Sequence, residues 1–130
     1  MTRIIAIFIM LLGLPCYGEV DACSGLEEVY TPQPKYPTYE QVKHILPGTS
    51  YVHVFVEGYV KVKFTVLTDG TVKNVLIIES DNRPTRKVNQ SMEGFLEINV
   101  VPTVSNWKYK PIAAPCENEH KFRYELADNV

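Results

Sequence analysis

Apolar and polar positions alternate most regularly over residues 58–80, GYVKVKFTVLTDGTVKNVLIIES. Val60, Val62, Phe64 and Val66 share one parity; Lys61, Lys63, Thr65 and Leu67 share the other. A period of two predicts a strand with one apolar face and one mostly polar face. Thr68-Asp69-Gly70-Thr71 supplies a tight turn, since Gly70 takes positive φ at little steric cost. A return strand is predicted from Thr71 to Glu79. Its parity slips between Val72 and the pair Val75 and Ile77, which predicts a bulge near Lys73-Asn74. A lone hairpin is marginal in water, so a third strand or a helix must cover the apolar face.

The flanking patterns supply those parts. In residues 31–37, TPQPKYP, three prolines fix φ and keep the chain extended, with Tyr36 available for packing. Thr38-Tyr39-Glu40-Gln41 has the form of a capping box, and Val42, Ile45 and Leu46 share a helical face; Pro47-Gly48 ends it. The spacing predicts a helix over 39–46. YVHVFVE, 51–57, alternates and predicts a strand that extends the central one or folds back on it, with Gly58 marking a bulge or bend. Asn82, Arg83 and Pro84 predict a turn. Val88, Met92, Phe95 and Leu96 have helical spacing, with a break or restart near Val100 to Pro102. WKYKP, 107–111, begins another strand. HKFRYEL, 120–126, is the predicted final strand, with Phe122, Tyr124 and Leu126 inward. The expected fold class is α+β: an antiparallel sheet of three or more strands with two helices packed on one face.

Composition adds a compartment. The chain has 130 residues, 45% apolar and 22% charged, ordinary for one globular domain. Arg3, the apolar run 4–14 and the small residues around Gly18 predict a secretory signal peptide over 1–18. The run is too short for a membrane span. The remaining chain divides into a flexible leader, 19–31, and a folded domain, 32–130. Removing the signal takes away a cation and no acid, so the mature chain is more acidic than the −2 of the whole. That charge offers no footprint for nucleic acid and no polybasic membrane patch. Cys16 leaves with the signal. Cys23 and Cys116 remain as an even pair in an oxidising compartment, which predicts a disulfide. The alternative for Cys23 is lipidation, from a faint lipoprotein box at Val20-Asp21-Ala22-Cys23.

QPKYP (33–37), EGYVKVKFTVLTDGTVKNVLIIES (57–80) and WKYKP (107–111) occur in that order. Together they resemble the C-terminal domain of TonB, the periplasmic energy transducer of Gram-negative bacteria. The elements that match are Tyr36-Pro37, Gly58 to Val60, Asp69-Gly70, Ser80, and Trp107-Tyr109-Pro111. The resemblance spans roughly residues 32–126. The chain departs from it at Ala113-Ala114-Pro115-Cys116, and it is expected to be a free-standing domain without the family's membrane anchor and Pro-rich spacer. The resemblance implies a periplasmic protein-interaction module in TonB-dependent transport. Its partner would be an outer-membrane receptor or another envelope protein, which adds a strand to an exposed sheet edge. The implied partner-binding residues are the edge His120, Lys121, Phe122, Arg123, Tyr124, Glu125 and Leu126, and the plug-contact segment Gln33, Pro34, Tyr36 and Pro37. Such exposed edges also allow a strand-exchanged homodimer.

Two other function classes remain to be weighed. An enzyme is not expected: there is no nucleophile elbow, zinc-protease helix or phosphate loop, and His44, His53 and His120 lie on separate elements. No metal or other cofactor is expected either. A small secreted binding or inhibitory protein, a disulfide-stapled sheet and helix unrelated to transport, is the alternative.

Overall fold

The computed structural model describes residues 21–126; the predicted signal peptide and its cleavage site lie outside them. Within them the chain runs β1 (Glu28–Tyr30), α1 (Tyr39–Val42), α2 (Ser50–His53), β2 (Val56–Val66), β3 (Val72–Pro84), α3 (Val100–Val104), β4 (Lys108–Tyr109) and β5 (Cys116–Tyr124). The fold class is α+β, as expected, with three short helices in place of two. β3, β2 and β5 form an antiparallel sheet in that order, and β1 and β4 form a second, two-stranded sheet.

β2 is central because its alternation is matched by burial. Val56, Val60, Val62, Phe64 and Val66 are buried, whereas Glu57, Tyr59, Lys61, Lys63 and Thr65 are only partly covered. One core joins that row to Val42 and Leu46, to Met92, Phe95 and Leu96, to Val100 and Val104, and to Trp107, Phe122 and Tyr124. The predicted bulge is present. Lys63 pairs with Leu76 and Thr65 with Lys73, so β3 carries an extra residue there, and Asn74 adopts φ 57°. The turn is held by the Asp69 carboxylate, which accepts from the Thr71 amide and hydroxyl and is thereby kept below the usual carboxylate range.

Four expectations are corrected. Residues 82–84 are not a turn but the end of β3, paired with Gly58, Glu57 and Val56. Gly58 permits this with φ 149°: a Cβ there would stand 1.8 Å from the Asp81 carbonyl oxygen. Residues 51–53 form a helical turn, not a strand. Their alternation does not report burial, since Val52 is exposed, and Tyr51 is held elsewhere by a hydrogen bond to the Pro37 carbonyl and by edge contact with Tyr39. Residues 88–96 form no helix. Met92, Phe95 and Leu96 are buried as their spacing predicts, but Gly94 turns with φ 84° and the chain coils through successive turns. The helix restarts at Val100, and Pro102 fits its first turn, where no intrahelical N–H is needed. The final strand runs Cys116–Tyr124, not 120–126.

The helix expected over 39–46 is one short α-helix continued by turns to Leu46, with the Gln41 side chain accepting from the Thr38 amide. The segment read as a flexible leader is tied down where it is described. β1 pairs with β4, Ala22 bridges to Glu117, and a disulfide joins Cys23 to Cys116 with Cα atoms 4.9 Å apart. A sulfur so bonded carries no thioether lipid, so the lipidation reading falls. No helix among the described residues is long and apolar enough to cross a membrane.

Candidate functional site

The two segments singled out for binding are built differently. In residues 32–37 prolines remove amides and leave a row of carbonyls, and buried carbonyls need donors. Each donor is a side chain from another element. Trp107 Nε1 donates to the Pro32 oxygen at 2.8 Å, and the Tyr124 hydroxyl to Pro34 at 3.2 Å. Asn99 Nδ2 donates to Lys35 at 3.1 Å and the Tyr51 hydroxyl to Pro37 at 2.6 Å. Pro34 and Pro37 are buried. The Tyr36 ring stacks on Phe55 at 4.8 Å and approaches Phe95 and Tyr124, while its oxygen accepts from the Val56 amide. Burial raises the Tyr36 phenol above its ordinary value and pushes Tyr124 up to about 12. Of the four residues expected to contact a plug, only Gln33 is exposed. It lines an open groove of about 460 Å³ with Tyr30, Lys35 and Asn99.

β5 is an outer strand of its sheet, paired on one side with β2 in unbroken register from Val66↔Cys116 to Gly58↔Tyr124. Its side chains alternate as expected. Phe122 and Tyr124 face the core; Glu119, Lys121 and Arg123 lie on the exposed face. Phe122 and Trp107 meet edge to face at 5.7 Å, and the exposed His120 ring stands 5.6 Å from Trp107. Lys61 faces Glu119 at 3.4 Å, and Lys121 lies 4.1 Å from the Tyr59 ring centroid. Glu125 and Leu126 lie beyond the strand. The Leu126 amide donates to the Glu57 carboxylate and its side chain is 53% exposed, so the inward position expected for it is not taken up.

The backbone direction of β5 follows from one residue. The Glu117 amide donates to the Asp21 carbonyl at 2.8 Å, and its carbonyl accepts from the Cys23 amide at 3.1 Å. Both groups of Glu117 therefore point away from β2. In a regular strand alternate residues point the same way, so the N–H and C=O groups of Glu119, Lys121 and Arg123 also point outward. Among the described residues no backbone group meets them. The sequence reading missed Cys116 to Glu119 because Glu117, Asn118 and Glu119 carry no apolar alternation. The only available signal was the length of β2, whose partner must be comparably long.

Among the described residues no group of three His, Cys, Asp or Glu side chains could hold a metal ion. No protein-family model matches the chain, and no curated protein matches it in sequence. Its fold is similar to that of the Pseudomonas aeruginosa TonB C-terminal domain, solved by NMR in solution. The TM-score is 0.52 at 20% identity, over 80% of this chain and 89% of that one. At that identity the likeness is one of fold.

Proposed function

We propose that the protein is a periplasmic TonB-like interaction module, not an enzyme, which captures extended segments of envelope proteins by strand addition to the outer edge of β5. TonB-dependent outer-membrane transporters are the first such partners to test. The observation that carries this reading is the outward set of backbone groups at Glu119, Lys121 and Arg123, continuing an edge that Glu117 already uses for pairing. An extended peptide laid there gains several backbone hydrogen bonds, each worth about 1 kcal/mol net. Specificity would come from side chains on the two faces of the added strand. The disulfide supports an oxidising envelope compartment.

Substitution at Arg123 separates backbone from side chain. Arg123→Pro removes one outward amide, whereas Arg123→Ala leaves the edge intact. Binding of transporter-derived extended peptides is measured by calorimetry after circular dichroism has shown both variants folded. A homodimer would compete for the same edge, so the protein is held at concentrations where sedimentation shows a monomer. The expected pattern is a loss of roughly tenfold or more with proline and near-normal affinity with alanine. Equal affinity of a folded proline variant and the parent would move the binding surface off this edge, with the groove beside Gln33 tested next.

A further inference from the structure

The edge read above as a strand-addition site is already partly occupied by the chain itself. Asp21 to Cys23 lie along β5 at Glu117, with Ala22 in a parallel bridge and the two backbone hydrogen bonds already described. They take up the first outward residue of the edge and stop there. We propose that the Cys23–Cys116 disulfide is a gate on this edge: intact, it holds the leader on Glu117 and confines an incoming strand to Glu119–Arg123; reduced, it releases the leader and opens the edge from Glu117 onward. The proposal concerns regulation of the site proposed above and rests on that reading.

The anchoring pattern supports local release. The next backbone tie along the leader is at Glu27, whose carbonyl accepts from Lys110, followed by the β1–β4 pairing. Between the two anchors Ser24 and Gly25 are exposed and make no backbone hydrogen bond among the described residues. Asp21 to Cys23 are thus held by two backbone bonds and one covalent bond. Two such bonds at an exposed edge compete with water nearly evenly, and ordering three residues opposes them. The disulfide supplies the effective concentration that keeps the segment paired. An open cavity of about 230 Å³, lined in part by Asp21, Ser24, Ala113 and Cys116, lies on the Cys116 side of the bond, and Cys23 on the other side is only partly buried.

The chemistry is thiol–disulfide exchange with a dithiol reductant. One thiolate attacks the Cys23 sulfur, the more exposed of the pair; the S–S bond breaks and Cys116 leaves as a thiolate that takes a proton. The second thiol of the reductant then attacks the mixed disulfide and frees Cys23. Two electrons and two protons pass to the protein, and the reductant becomes a disulfide.

Amide hydrogen exchange on the exported full-length protein, read residue by residue before and after dithiothreitol, tests this without any partner. Expected on reduction is an increase of roughly tenfold or more at the Glu117 and Cys23 amides, with Phe122 and Tyr124 unchanged. A double variant, Cys23→Ser with Cys116→Ser, should match the reduced protein without reductant. Unchanged protection at Glu117 after reduction overturns the gate. Loss of protection at Phe122 and Tyr124 also overturns it, since the bond would then hold the whole sheet. Fast exchange at Glu119, Lys121 and Arg123 in the oxidised protein is a separate requirement. Its failure would sink the open-edge reading and leave the Glu117 result to be judged alone.

Discussion

The carbonyls at Pro32, Pro34, Lys35 and Pro37 are each met by a side-chain donor, whereas the alternate backbone groups of Glu119 to Arg123 look out to solvent. Both stretches are extended, and both were singled out for binding by the same family resemblance. Their difference is one of completion. The proline segment has few amides to offer an added strand, and its acceptors are met by side chains, Trp107 and Tyr124 from the core and Asn99 and Tyr51 from its margin. The outer strand has half its backbone already paired and half available. The resemblance therefore points to two exposed-looking motifs that do different work: one closes the core, and the other presents an edge.

Tyr36 gives the sharpest way to break that contrast. Tyr36→Ala removes a ring stacked on Phe55 and the acceptor for the Val56 amide. A loss of about 3 kcal/mol in unfolding free energy is expected by urea denaturation with an unchanged m value. If stability stays at the parent value while partner binding fails, the segment is a contact surface after all. Tyr124→Phe comes next. It keeps the ring and deletes the hydroxyl that donates to the Pro34 carbonyl, a loss of about 1 kcal/mol. It also has a pH signature. The Tyr124 phenol is raised from its ordinary 10.0 to about 12 in the folded state. The folded state therefore holds this proton more tightly, and the stability it confers is complete below pH 10 and lost as pH rises towards 12. Tyr36 and Tyr109 shift in the same direction. Unfolding midpoints measured across that window should fall in the parent and fall less in Tyr124→Phe. Equal slopes would remove Tyr124 from the proline segment's support. The smallest effect is expected at Lys61→Ala, which breaks the exposed pair with Glu119 and should change stability by no more than about 0.5 kcal/mol. A larger loss would mean that the exposed face of the sheet contributes to the fold and is not merely solvated.

What the sequence made legible follows the same line. Alternation from Val60 to Val66 predicted the central strand because one face is buried, and the parity slip after Val72 predicted the bulge that Asn74 makes. Val88, Met92, Phe95 and Leu96 were read as a helix from their spacing; the last three are buried, so the spacing reported burial and not hydrogen bonding, and the helix was wrong. Val52 and Val54 alternated like a strand, but Val52 lies in the helical turn Ser50–His53 and only Val54 is extended, while Tyr51 is tied to the Pro37 carbonyl. The even cysteine count predicted the disulfide. It did not foretell that the bond would lay the leader along a strand edge. The outward groups at Glu119 to Arg123 were hidden for a simple reason: direction of the backbone is not written in side-chain type, and here only the pairing of Glu117 reveals it.

The neighbours of β2 arrive by very different routes. β3 follows after a turn of a few residues, a hairpin that closes in about 1–10 μs. β5 comes back only after α3 and β4 have been traversed, and its pairing must first overcome the closure entropy of that long loop. That difference in loop length predicts that the sheet is assembled with a delay on one side. Until Cys116 to Tyr124 dock, β2 shows its own bare edge beside Val60, Val62 and Phe64, a template for wrong pairing while the chain folds. The last strand to arrive caps that template and, in the same step, creates the edge that the finished protein presents.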